Sequence, residues 1–239
     1  MPLQVIESQR LYRQIAEQLR ELVARGEFKR GARLPAERDL AHQLGVSRPS
    51  VREALIALEV EGIIEVRTGS GIYIRRTEPS RAAASLTDAS ANEWGPLEVM
   101  SARLVIESEV AALAARNADK SHLKAMHAAL REMQDEVEQG QVPRWGDEAF
   151  HEAIAGACGN SVLLDTVKRL WQARNGPLFE RLGAYFEHPA SWQAAIAEHR
   201  QVLSAIESRN SSAARRAMQK HLKQAHKRYS ASWRRAPSS

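Results

Sequence analysis

The chain has 239 residues, enough for two compact domains that each bury a core. Its residues are 44% hydrophobic but only 5% aromatic, and it carries a formal charge of +5 with a pI near 9.6; this suits aliphatic helical packing and is compatible with a polyanionic partner. No apolar run approaches the ~20 residues of a membrane span, residues 1–10 lack the apolar centre of a signal peptide, and the single cysteine, Cys158, excludes an internal disulfide, so a soluble, cytoplasmic protein is expected.

The first predicted helix runs from about Leu11 to Arg25, with Leu11, Ile15, Leu19, Leu22 and Val23 on one face and Gly26 as its stop. Leu34-Pro35 is expected to open a second helix, Pro35 suiting a first turn because its missing N–H would be unpaired there. Leu40, Ala41 and Leu44 form its apolar face, and Gly45 ends it. Ser47 is placed to cap a third helix, Arg48 to Val60, whose apolar side is Val51, Ala54, Leu55 and Leu58. Two helices separated by Gly45-Val46-Ser47 have the helix-turn-helix spacing. Ile64 and Val66, then Ile72 and Ile74, alternate about Thr68-Gly69-Ser70-Gly71, which predicts a two-stranded hairpin with a glycine tip. Residues 1–76 thus form a winged helix-turn-helix, residues 77–95 a polar, Ala/Ser-rich linker, and residues 96–233 an all-α antiparallel bundle with no strand-like alternation.

A recognition helix keeps one face apolar and offers donors to base edges and phosphates from the other. Arg48 and Arg52, four apart, are expected to project together from the third helix, with Ser47 and Ser50 at its start and Arg38 on the second helix reaching the backbone or an adjacent base. Arg67, Thr68 and Gly69 form a wing tip that can approach a duplex closely. The competing reading makes these arginines a solvated face paired with Glu37, Asp39 and Glu53. The stretches Leu34-Pro-Ala-Glu-Arg-Asp-Leu-Ala, Gly45-Val-Ser-Arg-Pro-Ser-Val-Arg-Glu-Ala-Leu and Leu58 to Gly71 closely resemble the DNA-binding domain of the GntR family. That resemblance implies operator contacts by Arg38, Arg48 and Arg52 and places Gly69 at the minor groove.

In the second domain, Asp147 and His151 lie one helical turn apart and can point into a bundle interior. That spacing suits a divalent metal, with His199 and His221 on other predicted helices as further ligands, but it equally suits a helix-terminal carboxylate and a hydrogen-bonded histidine. His42, His122, His127 and His188 show no partner spacing. The region from Pro96 to about Tyr229 looks like the helical effector (FCD) domain of the FadR subfamily, through Ala102-Arg-Leu-Val-Ile-Glu, Asp147-x-x-Phe-His, Gly159-Asn160, Glu198-His199 and His221. The resemblance implies that Asp147, His151, His199 and His221 bind a divalent metal at the floor of an effector cavity; nitrogen-rich ligands suit zinc first, then nickel or manganese. It also makes Arg103 the residue for the effector's carboxylate, against a surface arginine paired with Glu107. Gly95-Pro-Leu-Glu-Val-Met and Leu170-Trp-Gln-Ala-Arg-Asn-Gly-Pro look most like regulators of hexuronate catabolism, which puts Trp171, Arg174 and Asn175 beside the cavity, with an exposed helix face as the other reading of Arg174.

The expectation is a homodimeric, non-enzymatic repressor of sugar-acid catabolism, released from double-stranded operator DNA by a hexuronate, an aldonate or a related carboxylate. The rivals are a metal-dependent enzyme acting on sugar acids with an accessory DNA-binding module, and a metal sensor. The sequence has no His-Glu-x-x-His, no phosphate-binding glycine loop and no evident nucleophile–base pair to support an enzyme.

Overall fold

The computed structural model describes residues 10–67, 69–76, 94–183 and 187–231, apart from the side chains of 177, 182, 230 and 231. They form two compact units: one takes in the described residues up to Pro96 with Gly176–Leu182, the other Leu97–Asn175 and those from Gly183 onward. The expected linker falls mostly on residues 77–93, which lie outside the described residues.

The first unit holds α1 (Leu11–Ala24), α2 (Glu37–Leu44), α3 (Arg48–Val60), β1 (Ile64–Arg67) and β2 (Gly71–Ile74). Tyr12, Ile15, Ala16, Leu19 and Val23 are the buried stripe of α1, while Leu11 is exposed. The stripe is centred one residue on from the expected one because Tyr12, not Leu11, lies in line with Ile15, Leu19 and Val23. Helix α3 begins where expected: Ser47 Oγ accepts from the Ser50 N–H at 3.3 Å, and Gly45 ends α2 at φ 65°, a left-handed conformation that costs glycine nothing. Arg20 donates to Glu61 at 3.1 and 2.7 Å, joining α1 to the end of α3.

The wing pairs Ile64 with Ile74 and Val66 with Ile72, turning Ile64, Ile72 and Ile74 into the core. Pro35 does not open α2, whose N-cap is Ala36. Instead residues 31–34 run beside β2, with Gly31 N–H donating to Ile74 O and Leu34 N–H to Ile72 O, both at 2.8 Å. Pro35 then leaves that edge, where its missing donor is not needed.

The second unit contains α4 (Pro96–Asn117), α5 (Lys120–Glu138), α6 (Arg144–Gly156), α7 (Ser161–Gln172), a 3-10 turn (Ala173–Asn175), α9 (Pro189–Glu207) and α10 (Ser211–Ala231); the short α8 (Pro177–Gly183) falls mostly within the first. Their shared core is aliphatic and sulfur-rich, including Met126, Met133, Ile154, Ile196, Leu203 and Met218, with Cys158 buried as expected. The caps are local: Asp119 starts α5, and Asn160 Oδ1 accepts from the Val162 and Leu163 N–H groups at 3.0 and 3.2 Å to start α7. Gly146 decides how closely α6 approaches α5. A Cβ there would stand 2.6 Å from the Met133 backbone nitrogen, so only glycine permits the contact that seats neighbouring Asp147 in the interior. No described helix is long and apolar enough to cross a membrane.

Candidate functional site

Two clusters of the expected residues can be tested against the geometry, one in each unit. On the helix-turn-helix, Arg38 is the most open, its side chain 83% exposed beside Asp39 at 3.5 Å. Arg48, half exposed, donates from Nε to Glu37 Oε1 at 3.0 Å. Ser47 and Ser50 share a hydroxyl contact of 2.9 Å at the helix start. On the wing, Arg67 is exposed, pairs with Glu65 at 3.2 Å and stacks over Tyr73 at 4.7 Å, while Gly69 turns at φ 72°. Thr68 lies outside the described residues.

Arg52 overturns its expectation. Its side chain is only 7% exposed and grips Glu37 with Nε at 2.8 Å and Nη2 at 2.9 Å. Arg48 and Arg52 therefore do not face outward together. The competing pairing with Glu37 describes both, and Arg52 clamps α2 onto α3.

In the second unit all four expected ligands converge. Asp147 and His151 from α6, His199 from α9 and His221 from α10 are buried, and one donor atom from each lies within 4.8 Å of the others. His199 Nε2 is 3.1 Å from His151 Nε2 and 3.2 Å from Asp147 Oδ1. Two imidazoles are oriented by carboxylates behind them: His151 Nδ1 meets Glu107 Oε2, and His221 Nδ1 meets Glu198 Oε2 at 2.9 Å. This leaves Nε2 of each ring for the centre, the arrangement found behind metal-ligating histidines. Buried His199 Nδ1 has no hydrogen-bond partner among the described residues.

The electrostatics favour a cation. Burial pushes the His151 imidazole down, and burial with His199 nearby pushes His221 down to about 3, so both offer neutral lone pairs near pH 7. Burial works against the Asp147 carboxylate, but the His199 bond and the charge of Arg174 hold it well below its ordinary range. Three imidazole nitrogens and a carboxylate oxygen, two of the rings braced from behind, fit a divalent ion.

A cavity opens beside this cluster, lined by Met100, Arg103, Asp147, Arg174, Trp192, His221, Arg228 and Tyr229 among others. Arg103 is buried, not a surface residue, and donates from Nε to Glu107 at 2.5 Å. Nor does Arg174 lie on an open helix face: its side chain is 12% exposed and donates to Asp147 Oδ2 at 3.0 Å and Tyr229 Oη at 3.4 Å. Trp171 is the shelf for both, with their guanidinium carbons 4.0 and 4.2 Å from the centre of its ring. Asn175 is exposed and does not line the cavity.

Residues 11–74 match the bacterial regulatory proteins of the gntR family, and residues 98–224 match the FCD domain. The chain belongs to the GntR family of regulators, in the branch that carries an FCD domain. It is a ligand-responsive, DNA-binding transcription regulator. This GntR protein is 35% identical to the Uxu operon transcriptional regulator of Escherichia coli K12 over 90% of its own length and 85% of that protein's. It is also 35% identical to the Exu regulon transcriptional regulator of the same strain, over 92% and 84% of the two chains. The solved structure described as Lar, which controls expression of the Listeria monocytogenes agr system, superposes with a TM-score of 0.50 at 17% identity, over 95% of this chain and 99% of that one. That likeness speaks for the fold alone.

Glu198, Arg228 and Tyr229 are further residues of the site in this regulator, and Glu107 is not the surface partner of Arg103 that the alternative reading makes it. Arg228 and Tyr229 lie seven and eight residues after His221, two helical turns along the same face, so that signal was present. The pairing of Glu107 with His151 and of Glu198 with His221 joins different helices and has no local signature. Three histidines set aside by spacing have structural partners: His122 and His188 cap α5 and α9, and His127 pairs with Glu207 at 2.7 Å.

Proposed function

We propose that this regulator represses genes of hexuronate-type sugar-acid catabolism and leaves its operator when a small carboxylate, a hexuronate or aldonate, enters the FCD cavity. Asp147, His151, His199 and His221 hold a divalent ion, zinc first and otherwise nickel or manganese, which supplies a Lewis-acidic centre for effector oxygens. Arg103 and Arg174 face the same space and orient the carboxylate through planar, bidentate donors. One observation carries this reading: Asp147 and His221 of the buried four-donor cluster and three arginines line one cavity. The names of the Uxu and Exu regulators, at 35% identity over nearly the whole chain, support hexuronate as the class.

At the operator, Arg38, Arg48, Ser47, Ser50, Arg67, Thr68 and Gly69 make the contacts, while Arg52 positions the recognition helix from beneath. The protein acts as a cytoplasmic homodimer, whose twofold axis matches a palindromic operator. A thermal-shift screen of hexuronates, aldonates and simple dicarboxylates, with and without divalent ion, tests the effector class, because a ligand of the native state raises the melting temperature by mass action. Fluorescence anisotropy on operator DNA then checks release. A hexuronate that neither stabilises the ion-loaded protein nor displaces it from DNA overturns the reading.

A further inference from the structure

Every arginine of the cavity is wired to the Asp–His cluster through a single carboxylate. Arg103 donates to Glu107 Oε1 at 2.5 Å, and the other oxygen of Glu107 meets His151 Nδ1. Arg228 donates to both oxygens of Glu198 at 2.9 Å, and Glu198 Oε2 meets His221 Nδ1 at 2.9 Å. Arg174 donates to Asp147 Oδ2 at 3.0 Å, while Oδ1 of that carboxylate faces His199 at 3.2 Å and His151 at 3.8 Å.

Three guanidinium charges therefore stand against three carboxylates. Glu187, paired with Arg144 at 3.4 Å, and Glu148 both act on Arg174, so these neighbours add one negative charge. The arginines are held in place as well, since Arg103 and Arg174 both rest on Trp171. Without an ion, the cavity has three cationic groups but no surplus cationic charge for an anion. A divalent ion on the cluster turns the same set of groups from one charge negative to one charge positive, beside a cavity where charge is less screened than in open water.

We propose that Glu107 and Glu198 are positioning residues that make anion binding conditional on the divalent ion: each neutralises a cavity arginine and aims an imidazole at the ion through the same carboxylate. The cavity admits a carboxylate ligand only once the ion has restored net positive charge. This deepens the effector reading above and rests on it for the class of ligand. Coupling of this kind is reciprocal, so the anion must tighten the ion by the factor with which the ion tightens the anion.

Glu198→Gln separates the two duties. The amide preserves shape and a contact to His221 but removes the charge that neutralises Arg228. Calorimetric titration of the full chain with D-galacturonate, and with succinate as a non-sugar probe, is run on chelator-dialysed and zinc-loaded protein. In the wild type, zinc is expected to raise galacturonate affinity about 10-fold or more, within the roughly 5- to 150-fold range of such couplings. In E198Q, zinc affinity falls about 10- to 100-fold, the usual cost of losing a carboxylate behind a metal-bound histidine. Ion-free E198Q, by contrast, binds galacturonate more tightly than ion-free wild type.

That opposite sign distinguishes the proposal from a merely structural role, in which both affinities would fall. Circular dichroism confirms folding, and Glu107→Gln makes the same test at Arg103 if E198Q does not fold. Equal galacturonate affinity with and without zinc in the wild type overturns the wiring and leaves the effector class standing. Succinate showing the ion dependence and its inversion while galacturonate does not bind upholds the wiring and removes hexuronate as the effector. No binding of either probe to zinc-loaded protein defeats both.

Discussion

Arg52 on α3 and Glu37 on α2, fifteen residues apart, are joined by two hydrogen bonds of 2.8 and 2.9 Å with both side chains nearly excluded from solvent. Arg48 shares the same carboxylate from a half-exposed position. The two arginines of the recognition helix should therefore fail differently. Arg52→Ala leaves the buried Glu37 with half-exposed Arg48 as its partner and Oε2 without its bond, and is expected to cost about 1–3 kcal/mol of stability, along with operator binding. Arg48→Ala, at the solvent edge, is expected to cost under about 1 kcal/mol while still weakening operator binding. Chemical denaturation paired with operator titration separates them; equal stability of the two variants would reject the clamp.

Removal of the ion is the corresponding test in the second unit. Three imidazoles and a carboxylate with donor atoms within 4.8 Å of one another are crowded partners when no cation lies between them. Chelation is expected to lower the melting temperature, since an ion present at 100 times its dissociation constant contributes about 2.7 kcal/mol. His199→Ala should reduce bound metal measured by elemental analysis and abolish the chelator's effect. Unchanged metal content in that variant would remove His199 from the ligand set.

The legibility of these features in the sequence follows their range along the chain. Ser47 as a cap and Gly45 as a stop act within one turn, and α2 ends and α3 starts where they indicate. The Asp147–His151 spacing is likewise local, and the two side chains do share a face. The edge formed by residues 31–34 was not legible, because its hydrogen bonds go to a strand some forty residues later and its few residues show no alternation. Arg52 misled for a related reason: a charged residue one turn from Arg48 has the same pattern whether it meets solvent or a carboxylate from another helix. The carboxylates behind His151 and His221 come from other helices too, so the convergence of the four residues is legible from the residues and their resemblance while the carboxylates behind them are not.

Gly146 makes a steric prediction about that support. Gly146→Ala places a methyl group against the Met133 backbone at 2.6 Å, where no side-chain rotation relieves it. Overpacking of this kind costs about 1–3 kcal/mol, and here it pushes α6, and with it Asp147 and His151, away from α5. Both stability and metal content should drop. Gly156→Ala, at the other end of the same helix with open space around its Cα, is the control; it is expected to be neutral or to gain up to about 1 kcal/mol. Equal behaviour of the two alanines would dismiss close approach as the reason for Gly146.

The cap of α5 makes a pH prediction. The Ser121 hydroxyl and the backbone N–H groups of His122 and Ser121 hold the exposed Asp119 carboxyl down to about 2, below its ordinary 3.8. A depressed folded-state value means that the unfolded chain binds the proton first, so the cap stabilises above pH 3.8 and fades as pH falls through about 2. Asp119→Ala should melt below the wild type by a constant margin at neutral pH, and that margin should close across this acid window. A margin unaffected by acid would mean that the carboxylate charge plays no part in the cap.

Trp171 supports both Arg103 and Arg174 through its ring face. Each stacked guanidinium is worth about 0.5–2 kcal/mol. Trp171→Leu keeps an apolar side chain but takes the shelf from two cations at once, and is expected to weaken D-galacturonate binding to the zinc-loaded protein by roughly 10-fold or more, while operator affinity without effector stays near the wild-type value. Trp171→Phe retains an aromatic face and should recover part of the loss. A leucine variant that binds the anion as well as the phenylalanine variant would show that packing alone, and not the ring's attraction for the two arginines, sets the geometry of the effector site.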